Sequence, residues 1–199
     1  MADDRFRLLF VCTANICRSP MAEQLARARL RAAGVPAAEV DVGSAGVHGH
    51  DGAAMDPRAV AALAARGVRP DGFTARTLTA PMVAEADLVL TAQRRHRAAA
   101  VTLVPPAHAK VFTILEFAEL ARHVDEARLG AGGPGARGRE LVRHAAKLRG
   151  VIPPGETGDD IPDPYGGPGH AFADCVRIIE SALTEPLRLL CGRTPVPPP

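Results

Sequence analysis

Residues 6–25 read FRLLFVCTANICRSPMAEQL, and this stretch decides the fold class. The apolar run at 6–11 has the length and the aromatic and β-branched content of a buried strand. After a short polar loop, Ser19 is predicted to be the N-terminal cap of a helix, with Pro20 at the first helical position. Gly34 is a favourable residue for the end of that helix. The first elements are therefore a strand and a helix joined by a tight loop.

Short apolar runs and helical patterns alternate along most of the chain. In the first helix, periodicity places Met21 and Leu25 on an apolar face and Glu23 with Gln24 on the opposite, polar face. Further strands are predicted at 40–42, 87–91 and 110–113, and further helices begin near residues 57, 93, 115, 138 and 169. This alternation is typical of an α/β fold, a four-stranded parallel sheet with helices on both faces. The ligand site of such a sheet lies beyond the carboxyl ends of its strands, where Cys12 falls.

The composition limits the classes of function. With 199 residues, 47% of them apolar and 23% charged, the chain has the profile of one globular domain. A net charge of +2 is too small to favour a nucleic-acid partner. No apolar run reaches the roughly 18 residues of a membrane span, and residues 1–7 lack a signal-peptide core, so a cytoplasmic protein without a membrane partner is expected. The four cysteines fit neither a disulfide scaffold nor zinc spacing, and no metal or other cofactor is expected.

The domain organisation is simple apart from one segment. Residues 1–193 are expected to form a single domain, followed by a disordered, proline-rich tail at 194–199. Pro186 is predicted to kink or end the last helix. A Gly/Arg-rich insertion at about 124–160 interrupts the alternation, although residues 138–149 have the pattern of a short basic helix. This insertion has two interpretations: a segment that folds beside the site and attracts anionic substrates, or a solvated, mobile connector.

Cys12 and Arg18 stand at Cys-x5-Arg spacing across the loop between the first strand and helix. Such a loop can turn its backbone N–H groups inward, and the helix N-terminus adds a partial positive charge. The planar guanidinium of Arg18 matches two oxygens of a phosphate. These features favour the thiolate of Cys12, and a thiolate facing a bound phosphate is a nucleophile for phosphoryl transfer. By spacing alone, a buried cysteine and an arginine at a helix start could also coincide without a shared function.

Three motifs carry a resemblance to a known family. The stretch VCTANICRSP at 11–20 resembles the phosphate loop of the low-molecular-weight protein tyrosine phosphatases. The stretches at 43–46 and 55–59 resemble the second block of that family, and DPYGG at 163–167 resembles its Asp-Pro-Tyr acid loop. The resemblance implies a four-stranded parallel sheet flanked by helices. It also implies a cysteine-dependent phosphomonoester hydrolase of the protein-tyrosine-phosphatase type.

The resemblance also assigns roles to individual residues. Cys12 attacks phosphorus and forms a cysteinyl-phosphate, Arg18 stabilises the phosphate oxygens, and Asp163 protonates the leaving group and then activates water. Asp163 has a second interpretation, as a former of the turn that follows it. Ser44 supports the loop through Asn15, which also tolerates a left-handed backbone. The implied substrate-binding residues are Thr13, Ala14, Asn15, Ile16, Cys17, Ser19, His50 and Tyr165.

Two other functions compete with this hypothesis. A thiol-dependent arsenate reductase shares the Cys-x5-Arg loop, but its chemistry needs further cysteines, and residues 80–110 contain none. A non-catalytic phosphate-binding module is expected to lack Cys12 or Asp163, and both are present. The expected partner is a phosphotyrosine protein or a small aryl phosphate. That choice stays open, as do the oligomeric state and a Cys12–Cys17 disulfide that would protect the nucleophile from oxidation.

Overall fold

The computed structural model describes residues 5–70, 72–153 and 158–192. Its sheet has four parallel strands in the order β2-β1-β3-β4. The strands are β1 (Phe6–Cys12), β2 (Val40–Gly46), β3 (Leu88–Thr91) and β4 (Val111–Thr113). The helices are α1 (Arg18–Ala32), α2 (Pro57–Ala64), α3 (Ala80–Glu85), α4 (Arg94–Leu103), α5 (Ile114–Arg122), α6 (Pro134–Leu148) and α7 (Gly169–Cys191), with short 3-10 helices at Pro105–Lys110 and Glu126–Leu129. The predicted α/β fold is confirmed.

Strand β1 lies inside the sheet, which is why its sequence is apolar on both faces from Leu8 to Val11. It pairs with β2 along its whole length, ending with Cys12 beside Gly46, and with β3 on its other side. Side chains of a strand point alternately to opposite faces. The larger core, with α1, α5 and α7, therefore receives Phe6, Leu8 and Phe10, and the smaller core, with α3 and α4, receives Leu9 and Val11.

The start of α1 differs from the prediction. The helix begins at Arg18, one residue before Ser19, and no side chain caps it. Ser19 is therefore not the N-terminal cap, because its hydroxyl oxygen instead lies 3.0 Å from Cys12 Sγ. The expectation that Glu23 and Gln24 lie on an exposed face is also wrong, since both are buried. Helix α1 is covered by β1 and β2 on one side and by α7 on another, so its exposed face is narrow.

The segment at 124–160 contains α6, which begins at Pro134 rather than at 138. This helix packs against α7 and β1 and contributes Leu141 and Ala145 to the larger core, so it is not a solvated connector. Its Gly138 faces the ring of Phe6, the first residue of β1. Phe6 lies at the opposite end of β1 from Cys12, and so α6 does not fold over the predicted site.

Two further predictions concern the C-terminal part of the chain. Helix α7 continues through Pro186 and ends at Cys191, so this proline does not end the helix. The tail at 194–199 lies outside the described residues. Within the described ranges, no helix combines the length and the apolar character that crossing a membrane requires.

The contact between α6 and β1 can be tested at Gly138. A Cβ at this position would lie 2.8 Å from a carbon of the Phe6 ring. Gly138→Ala is therefore expected to lower the free energy of unfolding by about 1–3 kcal/mol, although alanine normally favours a helix by about 1 kcal/mol over glycine. Urea unfolding followed by circular dichroism measures the loss. In a Phe6→Leu background the same substitution should cost less, and an equal cost in both backgrounds would contradict this contact.

Candidate active site

The loop at 13–17 joins the carboxyl end of β1 to the start of α1, and its carbonyl groups point away from the space above Cys12. The carbonyl oxygens of Cys12, Thr13, Ala14 and Ile16 accept hydrogen bonds of 2.9–3.0 Å from the backbone N–H groups of Val47, His48, His50 and Asp56. In a planar trans peptide, the N–H of the next residue points opposite to the carbonyl. The N–H groups of residues 13, 14, 15 and 17 therefore face the other side, where an anion can bind them.

Two local features allow this loop conformation. Asn15 has a φ of 59°, and it is the one non-glycine residue with positive φ in the described part of the chain. Asparagine adopts this left-handed conformation more readily than most residues, because its short polar side chain can bond locally. Gly46 of β2 gives the loop room, since a Cβ there would lie 2.5 Å from the carbonyl oxygen of Thr13.

A chain of buried hydrogen bonds orients the hydroxyl next to Cys12. Ser44 donates to Glu23 Oε2 at 2.6 Å, so its oxygen is free to accept from Asn15 Nδ2 at 2.8 Å. Asn15 Nδ2 also donates to the hydroxyl oxygen of Ser19 at 2.9 Å. The Ser19 hydrogen then has two acceptors in range, Cys12 Sγ at 3.0 Å and the Ala45 carbonyl oxygen at 3.3 Å. A hydrogen donated to sulfur stabilises the thiolate.

Asn15 has a third partner, and the support of the loop extends further than the resemblance implied. The backbone N–H of Arg76 donates to Asn15 Oδ1 at 3.0 Å, and Arg76 Nε donates to the carbonyl oxygen of Ser44 at 2.8 Å. Glu23 and Arg76 are not among the residues predicted from the sequence. The sequence was misleading for Glu23, because the position of this residue in the helical pattern predicted an exposed side chain. Burial raises the pKa of Glu23 above its usual value.

Arg18 and Asp163 meet above the loop although they are 145 residues apart. Arg18 Nη2 donates to Asp163 Oδ2 at 2.5 Å and to Thr13 Oγ1 at 3.2 Å, and Nη1 lies 3.4 Å from the carbonyl oxygen of Ile161. The guanidinium is buried, whereas the Asp163 side chain is 38% exposed at the mouth. Asp163 Oδ1 also accepts from the backbone N–H of Tyr165 at 3.3 Å. Asp163 therefore shapes its turn and also reaches Arg18, so both interpretations of it are compatible.

A cavity of about 210 Å³ collects most of the predicted residues. Its walls are formed by Cys12, Thr13, Ala14, Ile16, Cys17, Arg18, His50, Asp163 and Tyr165. Asn15 and Ser19 are fully buried and do not line the cavity. Their hydrogen bonds run to Ser44 and to Cys12, so they support the loop from behind.

The other cysteines differ from Cys12 in their surroundings. Burial raises the pKa of the Cys17 and Cys175 thiols to about 12 and that of Cys191 to about 11. These thiols are therefore protonated near neutral pH, and the thiolate is the reactive form. Cys17 lines the cavity, but its protonated thiol is a poor nucleophile. A disulfide between Cys12 and Cys17 stays a prediction.

His96 is a buried neighbour of the loop that is not among the residues predicted from the sequence. Its Nε2 lies 2.9 Å from Thr13 Oγ1. Burial, together with the charges of Arg18 and Arg95, lowers the pKa of His96 to about 4. Its position in the sequence gave one usable signal: it lies just beyond β3, which is next to β1 in the sheet. Within the described ranges, no three His, Cys, Asp or Glu side chains are grouped as metal ligands.

A family model described as low molecular weight phosphotyrosine protein phosphatase matches residues 7–130. The chain belongs to this family. It is therefore a cysteine-dependent phosphatase of the low molecular weight type, and enzymes of this type react through a cysteinyl-phosphate. The resemblance drawn from the three motifs is confirmed, and the arsenate reductase alternative is not favoured.

Relatives and solved structures agree with this assignment. The phosphatase is 34% identical over 184 residues to a low molecular weight protein-tyrosine-phosphatase of Streptomyces coelicolor, with 90% of each chain covered. A crystal structure of a low molecular weight protein tyrosine phosphatase from T. tengcongensis has 27% identity and a TM-score of 0.66, covering 90% of this chain and 96% of that one. The structure of the YwlE arginine phosphatase from Geobacillus stearothermophilus has 26% identity and a TM-score of 0.65, covering 92% of this chain and 90% of that one.

The two functions of Asn15 can be separated by a pair of substitutions. Asn15→Gly removes the side-chain hydrogen bonds but keeps a residue that adopts positive φ easily, whereas Asn15→Ala removes both. Asn15→Ala is expected to be less stable than Asn15→Gly by about 1 kcal/mol, the cost of a left-handed alanine. Urea unfolding of both variants measures the difference. Equal stability, or a more stable alanine variant, would contradict a backbone constraint at this position.

Proposed function

We propose that this phosphatase hydrolyses aryl phosphomonoesters, with phosphotyrosine in a protein as its substrate class, and that Cys12, Arg18 and Asp163 carry the reaction. The supporting observation is the convergence of these three side chains on one cavity of about 210 Å³. Its floor is the sulfur of Cys12, and the inward N–H groups of the loop surround that sulfur. A phosphate bound there places phosphorus directly above the nucleophile.

In the first step Cys12 attacks phosphorus and the sulfur–phosphorus bond forms as the bond to the leaving oxygen breaks. Negative charge on the three remaining oxygens meets the loop N–H groups and the Arg18 guanidinium, which are already in place. Asp163, at the mouth of the cavity, gives its proton to the leaving oxygen.

In the second step water attacks the cysteinyl-phosphate and Asp163 takes a proton from that water. The sulfur–phosphorus bond breaks and inorganic phosphate forms. Cys12 departs as a thiolate, and the Ser19 hydroxyl at 3.0 Å stabilises it by donating a hydrogen bond. Ser19 therefore acts on the leaving sulfur rather than on the substrate.

The preference for an aryl substrate is supported by the shape of the cavity. Cys12 is only 2% exposed, whereas Tyr165 on the rim is 63% exposed, so the nucleophile lies below the surface. A phosphate on a rigid ring reaches such a floor more readily than one on a short serine side chain. Ile16, His50 and Tyr165 supply the wall that a ring would contact.

We also infer that the phosphatase acts in the cytoplasm. All four cysteines are free thiols, and thiols persist in reducing compartments.

Cys12→Ser is expected to abolish hydrolysis of a phosphotyrosine peptide, because a serine hydroxyl is a far weaker nucleophile than a thiolate. Arg18→Ala is expected to do the same by removing the guanidinium from the phosphate oxygens. Cys191→Ser, at the end of α7, is the matched control and should retain full activity. Released phosphate is measured on phosphotyrosine, phosphoarginine and phosphoserine peptides and on para-nitrophenyl phosphate. Measurable turnover by Cys12→Ser would contradict the mechanism, and faster turnover of phosphoarginine than of phosphotyrosine would contradict the substrate class.

Asp163→Asn should slow the hydrolysis of esters with basic leaving groups more than the hydrolysis of esters with acidic leaving groups. A general acid matters little when the leaving oxygen is already a stable anion, so para-nitrophenyl phosphate should lose less rate than phenyl phosphate. For phenyl phosphate the expected loss in kcat is about 10²–10⁴-fold. Equal losses for the two esters would remove Asp163 from the role of acid.

A further inference from the structure

Three polar side chains converge on the hydroxyl of Thr13. Arg18 Nη2 lies 3.2 Å from Thr13 Oγ1, and Arg95 Nη2 lies 3.4 Å from it. His96 Nε2 is nearer, at 2.9 Å. Thr13 lines the cavity, whereas His96 is 1% exposed and lies behind the loop.

The chemistry of these groups fixes the direction of each hydrogen bond. A guanidinium only donates, and a hydroxyl has two lone pairs and one hydrogen. Arg18, at 3.2 Å, therefore occupies one lone pair of Thr13 Oγ1, and the exposed Arg95, at 3.4 Å, faces the other. The hydroxyl hydrogen is left for His96 Nε2, which must accept it and carry no proton. The single proton of the neutral ring is then on Nδ1.

The surroundings of His96 bear on this assignment in two ways. Its Nδ1 is buried and has no hydrogen-bond partner among the described residues, so the proton that this tautomer places there has no acceptor in that part of the chain. The charged groups that face the ring are Arg18 and Arg95, which oppose a second proton, and Asp163 and Asp160, which favour one. Burial and the two arginines have the larger effect, and the pKa of His96 is lowered to about 4.

The position of the Thr13 hydroxyl in turn fixes the orientation of the Arg18 guanidinium. Arg18 Nη2 has two hydrogens, one of which goes to Thr13 Oγ1 and the other to Asp163 Oδ2. Asp163 is half exposed and must be released to handle protons, whereas Thr13 belongs to the loop itself. Thr13 is therefore the fixed partner of this nitrogen throughout the reaction.

We propose that His96 is a positioning residue: by accepting the Thr13 hydroxyl hydrogen, it holds Thr13 Oγ1 where it aims the Arg18 guanidinium at the equatorial oxygens of the phosphoryl group. His96 does not touch the substrate. The proposal rests on the role of Arg18 proposed above. It gives α4 a part in catalysis, since this helix carries His96 as its third residue.

Two pairs of variants test the proposal with para-nitrophenyl phosphate. His96→Leu removes the acceptor at similar volume, and His96→Gln keeps an acceptor oxygen. Thr13→Val removes the hydroxyl at the same shape, and Thr13→Ser keeps it. His96→Leu and Thr13→Val are each expected to lower kcat by about 10- to 100-fold, the usual cost of a misplaced catalytic group, with KM changed by less than about threefold. His96→Gln and Thr13→Ser should recover most of the loss.

The double variant Thr13→Val/His96→Leu gives the decisive comparison. Because both residues act through one hydroxyl, the kcat of the double variant should be no more than about threefold below that of the worse single variant. Losses that multiply would overturn the proposal, and so would a kcat for His96→Leu equal to that of the wild type. Circular dichroism and thermal unfolding identify folded variants. If His96→Leu does not fold, the kcat values of Thr13→Val and Thr13→Ser are compared instead. Equal kcat values for that pair would overturn the proposal.

A measurement without turnover separates this inference from the proposed function. In ¹⁵N NMR spectra of the wild-type protein, His96 should have a protonated Nδ1 and an unprotonated Nε2 from pH 8 to pH 5. In Thr13→Val the Nε2 signal should shift, because its hydrogen-bond donor is gone. A protonated Nε2 in the wild type would overturn the inference. A wild-type protein with this tautomer but without aryl phosphatase activity would count against the proposed function alone.

Discussion

The phosphate loop can offer its N–H groups to an anion only because its carbonyl groups have partners on the opposite side. A buried carbonyl left without a partner costs about 1–3 kcal/mol. The backbone that follows β2 supplies N–H donors to Cys12, Thr13 and Ala14, and the start of α2 supplies one to Ile16. The anion site is therefore built by three parts of the fold together. It forms where β1 and β2 end side by side, and this explains why glycine is needed at Gly46.

Beneath the loop, a chain of buried side chains determines which group donates and which accepts in each hydrogen bond. The chain runs through Glu23, Ser44, Asn15 and Ser19. When ionised, a carboxylate only accepts, so Glu23 at one end sets which way the hydroxyl of Ser44 points. Asn15 Nδ2 donates to the oxygens of both Ser44 and Ser19, so the Ser19 hydrogen is left for Cys12 Sγ at 3.0 Å or the Ala45 carbonyl oxygen at 3.3 Å. On the other side of the loop, His96 sets the direction of the Thr13 hydroxyl in a comparable way. In both places an acceptor atom fixes a hydroxyl group that could otherwise rotate.

The sequence was sufficient for the fold and for the residues that line the cavity. Strands and helices alternate in the way that is typical of a parallel sheet, and the motif around Cys12 is contiguous. The supporting residues could not be predicted in the same way. Glu23 lies at a position that helical periodicity marks as exposed, and its burial depends on how α1 sits between the sheet and α7. His96 meets Thr13 only because β3 lies next to β1.

The same limit applies to the segment at 124–160, for which the sequence left two interpretations open. Its content of glycine and arginine carries no information about the surface that α6 meets. Gly138 is required by contact with the ring of Phe6, and Arg137 is buried against the carbonyl oxygens of Leu189 and Gly130. Each of these residues has a local reason that becomes visible only when distant parts of the chain are brought together.

The positive φ of Asn15 has a consequence for the end of the catalytic cycle. Hydrogen bonds from Arg76 and from the backbone that follows β2 hold the loop in this conformation. A binding loop that already has its bound conformation loses little conformational freedom when phosphate enters. In the mechanism proposed above, the contacts that hold the phosphate of a substrate also hold free phosphate. We therefore expect inorganic phosphate to compete with the substrate for this site, so that turnover slows in a phosphate-rich medium.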